Sequence, residues 1–161
     1  MWRVVVTDYT ALGNAIKTTL QNDTWVGNNV QTIEIHKRGF SIQDEKDAQY
    51  FSKEDLPAIA VIPNSGAKQQ EIQTTNEIRE TVPAQIVTVN QMRNAQTGIE
   101  ENLLIVKNIE RILDKQKSST NNLGIDAFVQ SVSTTDEQFK KGEYYYFIST
   151  TTAQIEITIP F

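Results

Sequence analysis

Cysteine is absent from the 161 residues, and the chain holds one histidine, two tryptophans, four prolines and seven glycines. Without cysteine there is no disulfide, no thiolate nucleophile and no cysteine-based zinc site, a composition compatible with a cytosolic protein. The single histidine, His36, excludes a His-rich metal centre and leaves a Ser-His-Asp triad with only one candidate base. No run of 18 apolar residues occurs, which excludes a spanning helix. The first residues, Met1-Trp2-Arg3-Val4-Val5-Val6, turn polar at Thr7 and Asp8, too early for a signal-peptide core, so no targeting segment is expected. Positive charge is in deficit: 15 Lys and Arg face 20 Asp and Glu, for a net −5. No overall attraction to nucleic acid or anionic lipid is expected from that balance, and the basic residues are scattered.

What the chain does have is β-branched residues: Ile (18), Thr (18) and Val (12). That weight predicts a sheet as the larger part of the fold. The length suits one domain over residues 1–161, long enough to bury a real core. Its organising element is a helix expected at Ile99 to Gln116. At about 100° per residue, Ile105, Val106, Ile112 and Leu113 fall within roughly 60° of Ile109, and Ile99 within about 80°. This is the stripe of a core-facing helix. Gly98 precedes it, Glu100 and Glu101 occupy its expected first turn, and Lys115 and Lys117 its far end, each sign where the helix dipole favours it.

Taken in order, Trp2, Val5, Tyr9, Leu12, Ile16 and Leu20 repeat at helical spacing and predict one long helix, ending in the polar stretch Gln21 to Asn29. A short strand at Val4 to Val6, with a helix capped by Asp8, fits the same residues. Val30 to Lys37 alternates and reads as a half-buried strand with Ile33 and Ile35 inward. Arg38 to Asp55 reads as a long exposed loop anchored by Phe40, Ile42, Tyr50 and Phe51. Ala58 to Ile62, apolar throughout and bounded by Pro57 and Pro63, predicts a central strand with both faces covered. Asn64-Ser65-Gly66 then turns. Gln70 to Glu80 pairs with the strand Ile86 to Val89 as an extended hairpin, the turn expected near Thr81-Val82-Pro83. After the helix, Ser118 to Asn122 reads as a loop, Ile125 to Ser133 as a strand and Asp136 to Gly142 as turn material. Tyr144 to Ile148 and Ala153 to Ile159 form the last strand region. Ala153, Ile155, Ile157 and Ile159 face the helix stripe, and Gln154, Glu156 and Thr158 face away. The expected fold class is α+β: a mixed or antiparallel sheet with two main helices packed on one face, plus an extended β-hairpin.

Candidate chemistry is sparse. His36 sits beside Lys37 and Arg38 on the polar face of its strand and reads as a surface residue rather than a general base. Asp44, Glu45, Asp47, Glu54 and Asp55 supply carboxylates of the kind that bind calcium, but lack the glycine and terminal glutamate of an EF-hand loop. Pro63 to Lys68 superficially suggests a phosphate loop, but the earlier glycine and the Ser or Thr after the lysine are missing. Tyr144-Tyr145-Tyr146-Phe147 offers rings for stacking, yet alternation in a strand gives half of them to the core. Asn22-Asp23-Thr24 matches a glycosylation sequon with no secretory signal ahead of it. No catalytic, metal or cofactor-binding residue is assigned from these patterns.

Leu103 and Leu104 stand apart, roughly 120° and 140° from the centre of the helix stripe by the same wheel. They make the helix apolar where the core does not need it. Either a second layer of the same subunit covers them or they belong to a subunit interface.

The order of elements resembles the tail-terminator and tail-completion proteins of long-tailed bacteriophages. The features that carry the likeness are the amphipathic helix Trp2 to Leu20 and the buried strand Ala58-Ile59-Ala60-Val61-Ile62-Pro63-Asn64. A long polar hairpin into Pro83-Ala84-Gln85-Ile86-Val87-Thr88-Val89 follows, then the Glu-opened helix and the closing Ala153-Gln154-Ile155-Glu156-Ile157-Thr158-Ile159. The resemblance implies a non-enzymatic virion structural protein without cofactors, made in the bacterial host cytoplasm. It implies a homohexameric ring that caps the tail tube, stops its polymerisation and joins it to the head connector, with phage DNA passing through and no membrane contact. Its neighbours would be the tail tube protein and a head connector or neck protein. Leu103 and Leu104, together with Ile72, Ile78, Lys68 and Arg79 from the polar hairpin region, are the interface residues expected from it. A neck or head-completion protein matches the same pattern. Two other classes predict different behaviour: a small-molecule-binding α+β domain retains a tight ligand, and a nucleic-acid-binding module retains DNA in a salt-dependent way.

Overall fold

The computed structural model describes residues 9–35, 56–66, 69–74, 77–117, 123, 125 and 127–160; at 70–74, 77, 78, 141, 159 and 160 the backbone alone is described. The order is α1 (Tyr9–Asn22), α2 (Thr24–Asn29), β1 (Thr32–Ile35), β2 (Ala58–Ile62), β3 (Gln69–Thr74), β4 (Glu77–Met92), α3 (Ala95–Asp114), β5 (Ala127–Lys141) and β6 (Tyr144–Pro160). The six strands form one mixed sheet in the order β1-β2-β4-β6-β5, with β3 also on β4. Among the described residues only β1 and β2 run parallel, Thr32 beside Ala58 and Ile35 beside Val61. The class is α+β, with the three described helices on one face.

The core follows from strand alternation. On the helix face Ile59 and Val61 of β2, Ala84 and Ile86 of β4, and Ala153 and Ile155 of β6 meet Leu12, Ile16 and Leu20 of α1, Val26 of α2 and Ile105, Ile109, Ile112 and Leu113 of α3. The opposite face carries a smaller cluster, Ala58, Ala60, Ile62, Val87, Val89 and Ile148. Strand β2 is buried at all five positions because its residues serve both clusters, as its unbroken apolar run predicts. Helix α3 lies over β6 through the predicted stripe, and Ile109 is fully buried.

Several boundaries differ from expectation. Residues Trp2 to Asp8 of the predicted long helix lie outside the described residues, as do His36, Lys37, the Arg38 to Asp55 loop with its carboxylates, and Ser118 to Asn122. The polar stretch after Leu20 contains a second helix: Asp23 has extended backbone and its carboxylate accepts the Val26 N–H at 3.1 Å, which caps α2. Composition hides it, because TWVGNN has one residue for the core, Val26.

The hairpin turn is not at Thr81-Val82-Pro83. Strand β3 folds back on Glu77 to Thr81, Ile72 beside Ile78, and those three residues run on inside one 16-residue strand. Pro83 is accommodated because β4 changes partner there. One edge of β4 pairs with β3 up to Thr81 and with β2 from Gln85, and Pro83 falls between. Its carbonyl accepts both the N–H (2.9 Å) and the hydroxyl (3.0 Å) of Ser65. In a strand the N–H and C=O of one residue point to the same side, so the missing proline N–H faces this gap and the ladder to β6 loses nothing.

Asp136 to Gly142, expected as a turn, is strand through Lys141, and the reversal is confined to Gly142 and Glu143. Gly142 has φ +64°, in the left-handed region that glycine enters at low cost. The two expected pieces of the last strand are one strand, Tyr144–Pro160, because Ser149 to Thr152 stay in register with both β4 and β5. A register shift between Val129 and Ser131 re-phases β5, keeping Ala127 and Val129 on the same face as Val132 and Thr134.

Candidate assembly surface on helix α3

Helix α3 starts a turn earlier than its charges suggest. The Asn94 side chain accepts the Thr97 N–H at 3.1 Å and caps it, which moves Glu100 and Glu101 out of the first turn. Gly98 therefore lies inside the helix, and a Cβ there would come within 2.0 Å of the Phe147 ring. The glycine is the point where α3 rests on β6.

The inward stripe buries Ile105, Val106, Ile109, Ile112 and Leu113, and the outward side carries Gln96, Glu100, Leu103, Leu104 and Lys107, all exposed. Leu103 is 53% exposed and Leu104 47%. These are large apolar side chains in water, placed side by side. Each borders a groove. Beside Leu103 a groove of about 290 Å³ opens towards β5, lined by Ile99, Asn102, Glu137 and Phe147. Beside Leu104 one of about 330 Å³ opens towards α2, lined by Trp25, Asn29, Pro57 and Glu101.

Under the first half of α3 the sheet is polar. Asn102 donates to the Ser149 hydroxyl at 2.6 Å, and Ser149 donates to Asp136 at 2.5 Å. About two turns further along α3, Thr134 donates to Glu110 at 2.6 Å and lies 3.2 Å from the Thr151 hydroxyl. The Asn102 Oδ1 and the Thr88 hydroxyl beside this chain are buried without hydrogen-bond partners. These groups fix the helix by directed bonds rather than by apolar area alone. Alternation predicts that Ser149 and Thr151 face the helix, but not that α3 answers them with Asn102 and Glu110.

At its C-terminal end α3 is pinned by Arg111, which donates to Asp23 at 2.8 Å and to Asn108 at 3.1 Å. Burial raises the Asp23 pKa, but the Arg111 and Val26 hydrogen bonds, the Arg111 charge and the Trp25 N–H together hold it below its ordinary 3.8. A carboxylate with a lowered folded pKa stabilises the fold above its unfolded pKa, and that stabilisation is lost as pH falls through the folded value. Asp23→Asn keeps a capping side chain and removes the charge. We expect it to cost up to about 1 kcal/mol at neutral pH, a modest figure because Arg111 is over a third exposed. Denaturant titrations at a series of pH values should show the gap from the native sequence closing below about pH 4. Arg111 and Asp23 also border an open groove of about 670 Å³ between α1 and α3, with Asn14, Thr18 and Lys115.

The other residues singled out from sequence are scattered. Ile72 and Ile78 sit opposite each other in the β3–β4 hairpin, their side chains outside the description, and Lys68 lies outside the described residues. Arg79 is held within its own chain, its Nε 2.6 Å from Glu156, to which Gln130 also donates. Glu156 is thereby buried, where alternation predicts an outward polar residue. Ser65 of the phosphate-loop look-alike is committed to Pro83, and strand β3 follows it. Among the aromatics, Phe147 is buried, Tyr146 stacks on Phe139 at 5.0 Å, and Tyr144 and Tyr145 lie against Arg93 and Lys140. Among the described residues no group of three His, Cys, Asp or Glu side chains is arranged to hold a metal, and no helix is long and apolar enough to cross a membrane.

No protein-family model matches the chain, and no curated protein matches it in sequence. Among solved structures it is similar to a chain of the "Virion of native gene transfer agent (GTA) particle", with 9% sequence identity and a TM-score of 0.40 over 90% of this chain and 94% of that one. At that level the likeness assigns neither a family nor a function.

Proposed function

We propose that this chain is a non-enzymatic virion structural protein that assembles into a hexameric ring, caps a phage tail tube, stops its polymerisation and joins it to the head connector. The observation that carries the reading is the pair of exposed leucines on α3, between two grooves and on a helix fixed firmly from beneath. Such a surface is built to be covered by another subunit. The sequence pattern shared with tail-terminator proteins supports the same reading. Within the ring we assign the neighbour's contact to the β3–β4 hairpin, which continues along β4 and β6 past the end of β2. DNA passes through without sequence-specific contacts, as the net charge of −5 favours sliding over retention.

Native mass spectrometry over a concentration series, with negative-stain images of the same sample, tests this. Sixfold rings with a central hole are expected. A chain that never forms rings and retains a tightly bound small molecule in the groove beside Arg111 overturns the reading in favour of a ligand-binding domain.

A further inference from the structure

The exposed side of α3 carries a charge order that is complementary to itself. Along the outward stripe the sequence places Glu100, then Leu103 and Leu104, then Lys107, at intervals of three and four residues that keep all four on one side of a helix. All four are exposed. The leucine pair lies midway between the two charges. If a second α3 is laid antiparallel over the first with its centre between Leu103 and Leu104, Leu103 of each copy meets Leu104 of the other. Glu100 of each then meets Lys107 of the other. In a parallel pair the same residues would set like charges against each other. Among the described residues neither Glu100 nor Lys107 has an ion-pair partner; the Glu100 carboxylate accepts only from Gln96, at 3.1 Å. The ion pairs that the same helix does make, Arg111 with Asp23 and Asp114 with Lys117, lie nearer its C-terminal end.

We propose that the occupant of this surface is a second copy of the chain, docked antiparallel along α3 about a two-fold axis, with four leucines at the centre and two Glu100–Lys107 pairs outside them. The grooves beside Leu103 and Leu104 receive the leucines of the opposite copy. Two turns separate Glu100 from Lys107, about 10.5 Å along the axis, so the ion pairs flank the apolar centre instead of lying within it. A two-fold contact of this kind pairs two copies and closes. It is the association of free chains, separate from the heterologous contact a ring requires. The inference rests on the reading of α3 as an assembly surface and not on the ring.

The test is sedimentation equilibrium of the full chain at low and high salt, with circular dichroism to confirm the fold of each variant. Glu100→Lys alone and Lys107→Glu alone should each raise the dimer dissociation constant about tenfold at low salt, and less at high salt. The double charge swap should restore it, since it re-creates both pairs with the signs exchanged. Leu103→Asp should weaken the dimer about a hundredfold. A double swap that fails to restore dimerisation overturns the antiparallel register, and dimers unaffected by Leu103→Asp overturn the surface altogether. Rings that form while the three charge variants associate normally and Leu103→Asp does not would sink this inference and leave the tail-cap reading standing. Dimers that behave as described, with no rings at any concentration, would do the reverse.

Discussion

Replacing Ile109 by alanine is expected to lower the free energy of unfolding by about 2–5 kcal/mol, the largest effect of any single truncation in α3. Ile109 is fully buried at the centre of the stripe, among core residues of helices and sheet. Its loss leaves a cavity that two fixed elements border. Helix α3 is held near its C-terminal end by Arg111 on Asp23 and in its first half by Asn102 on Ser149, so it cannot settle into the space. That places the cost towards the upper part of the range, because the cavity term survives where relaxation is blocked. Urea unfolding followed by circular dichroism measures it. A loss under about 1 kcal/mol would mean that α3 is mobile on the sheet, contrary to the polar anchors seen beneath it.

Gly98→Ala tests the opposite failure. In an open helix this change stabilises by about 1 kcal/mol, since alanine is the better helix former. Here the new methyl would stand 2.0 Å from Phe147 Cε2 and 2.5 Å from Cζ. Phe147 is itself buried, with 3% of its surface exposed, and has little room to withdraw. Overpacking of this kind costs about 1–3 kcal/mol, and the steric term outweighs the propensity gain. The discriminating measurement is a double-mutant cycle with Phe147→Leu, which shortens the ring side. The pair should be less destabilised than the sum of its members. Additive losses would show that Gly98 is needed for backbone reasons rather than for the approach to Phe147.

These two positions show what the sequence did and did not disclose. Ile109 and its stripe are readable because a 3.6-residue period needs only apolar spacing, and β2 is readable because a run apolar at every position belongs under cover on both faces. Gly98 reads as a boundary when glycine is taken as punctuation, whereas it marks a close approach that depends on a phenylalanine 49 residues further on. Pro83 misleads in the same way. A proline inside alternating residues argues for a turn, and only the gap between β2 and β3 makes it tolerable in mid-strand. The polar Asp136 to Gly142 segment is strand for a similar reason: its partner β6 supplies the hydrogen bonds that composition does not advertise. For the candidate surface, the wheel isolates Leu103 and Leu104 without any structure, and their exposure follows from the same angles. The grooves beside them depend on Trp25, Pro57 and Glu137, which come from other parts of the chain.

Strand β4 has a mechanical consequence. It begins at Glu77, in the hairpin proposed to reach a neighbour, and ends at Met92, two residues before the Asn94 cap of α3. At about 3.4 Å per residue that is a strut of roughly 50 Å. It is paired with β6 at every position from Glu77 to Met92, so no loop along it can absorb a displacement. A push on the hairpin is therefore delivered to the foot of α3 as a rigid translation, and the leucine surface moves with it. The two surfaces assigned to assembly are the ends of one lever.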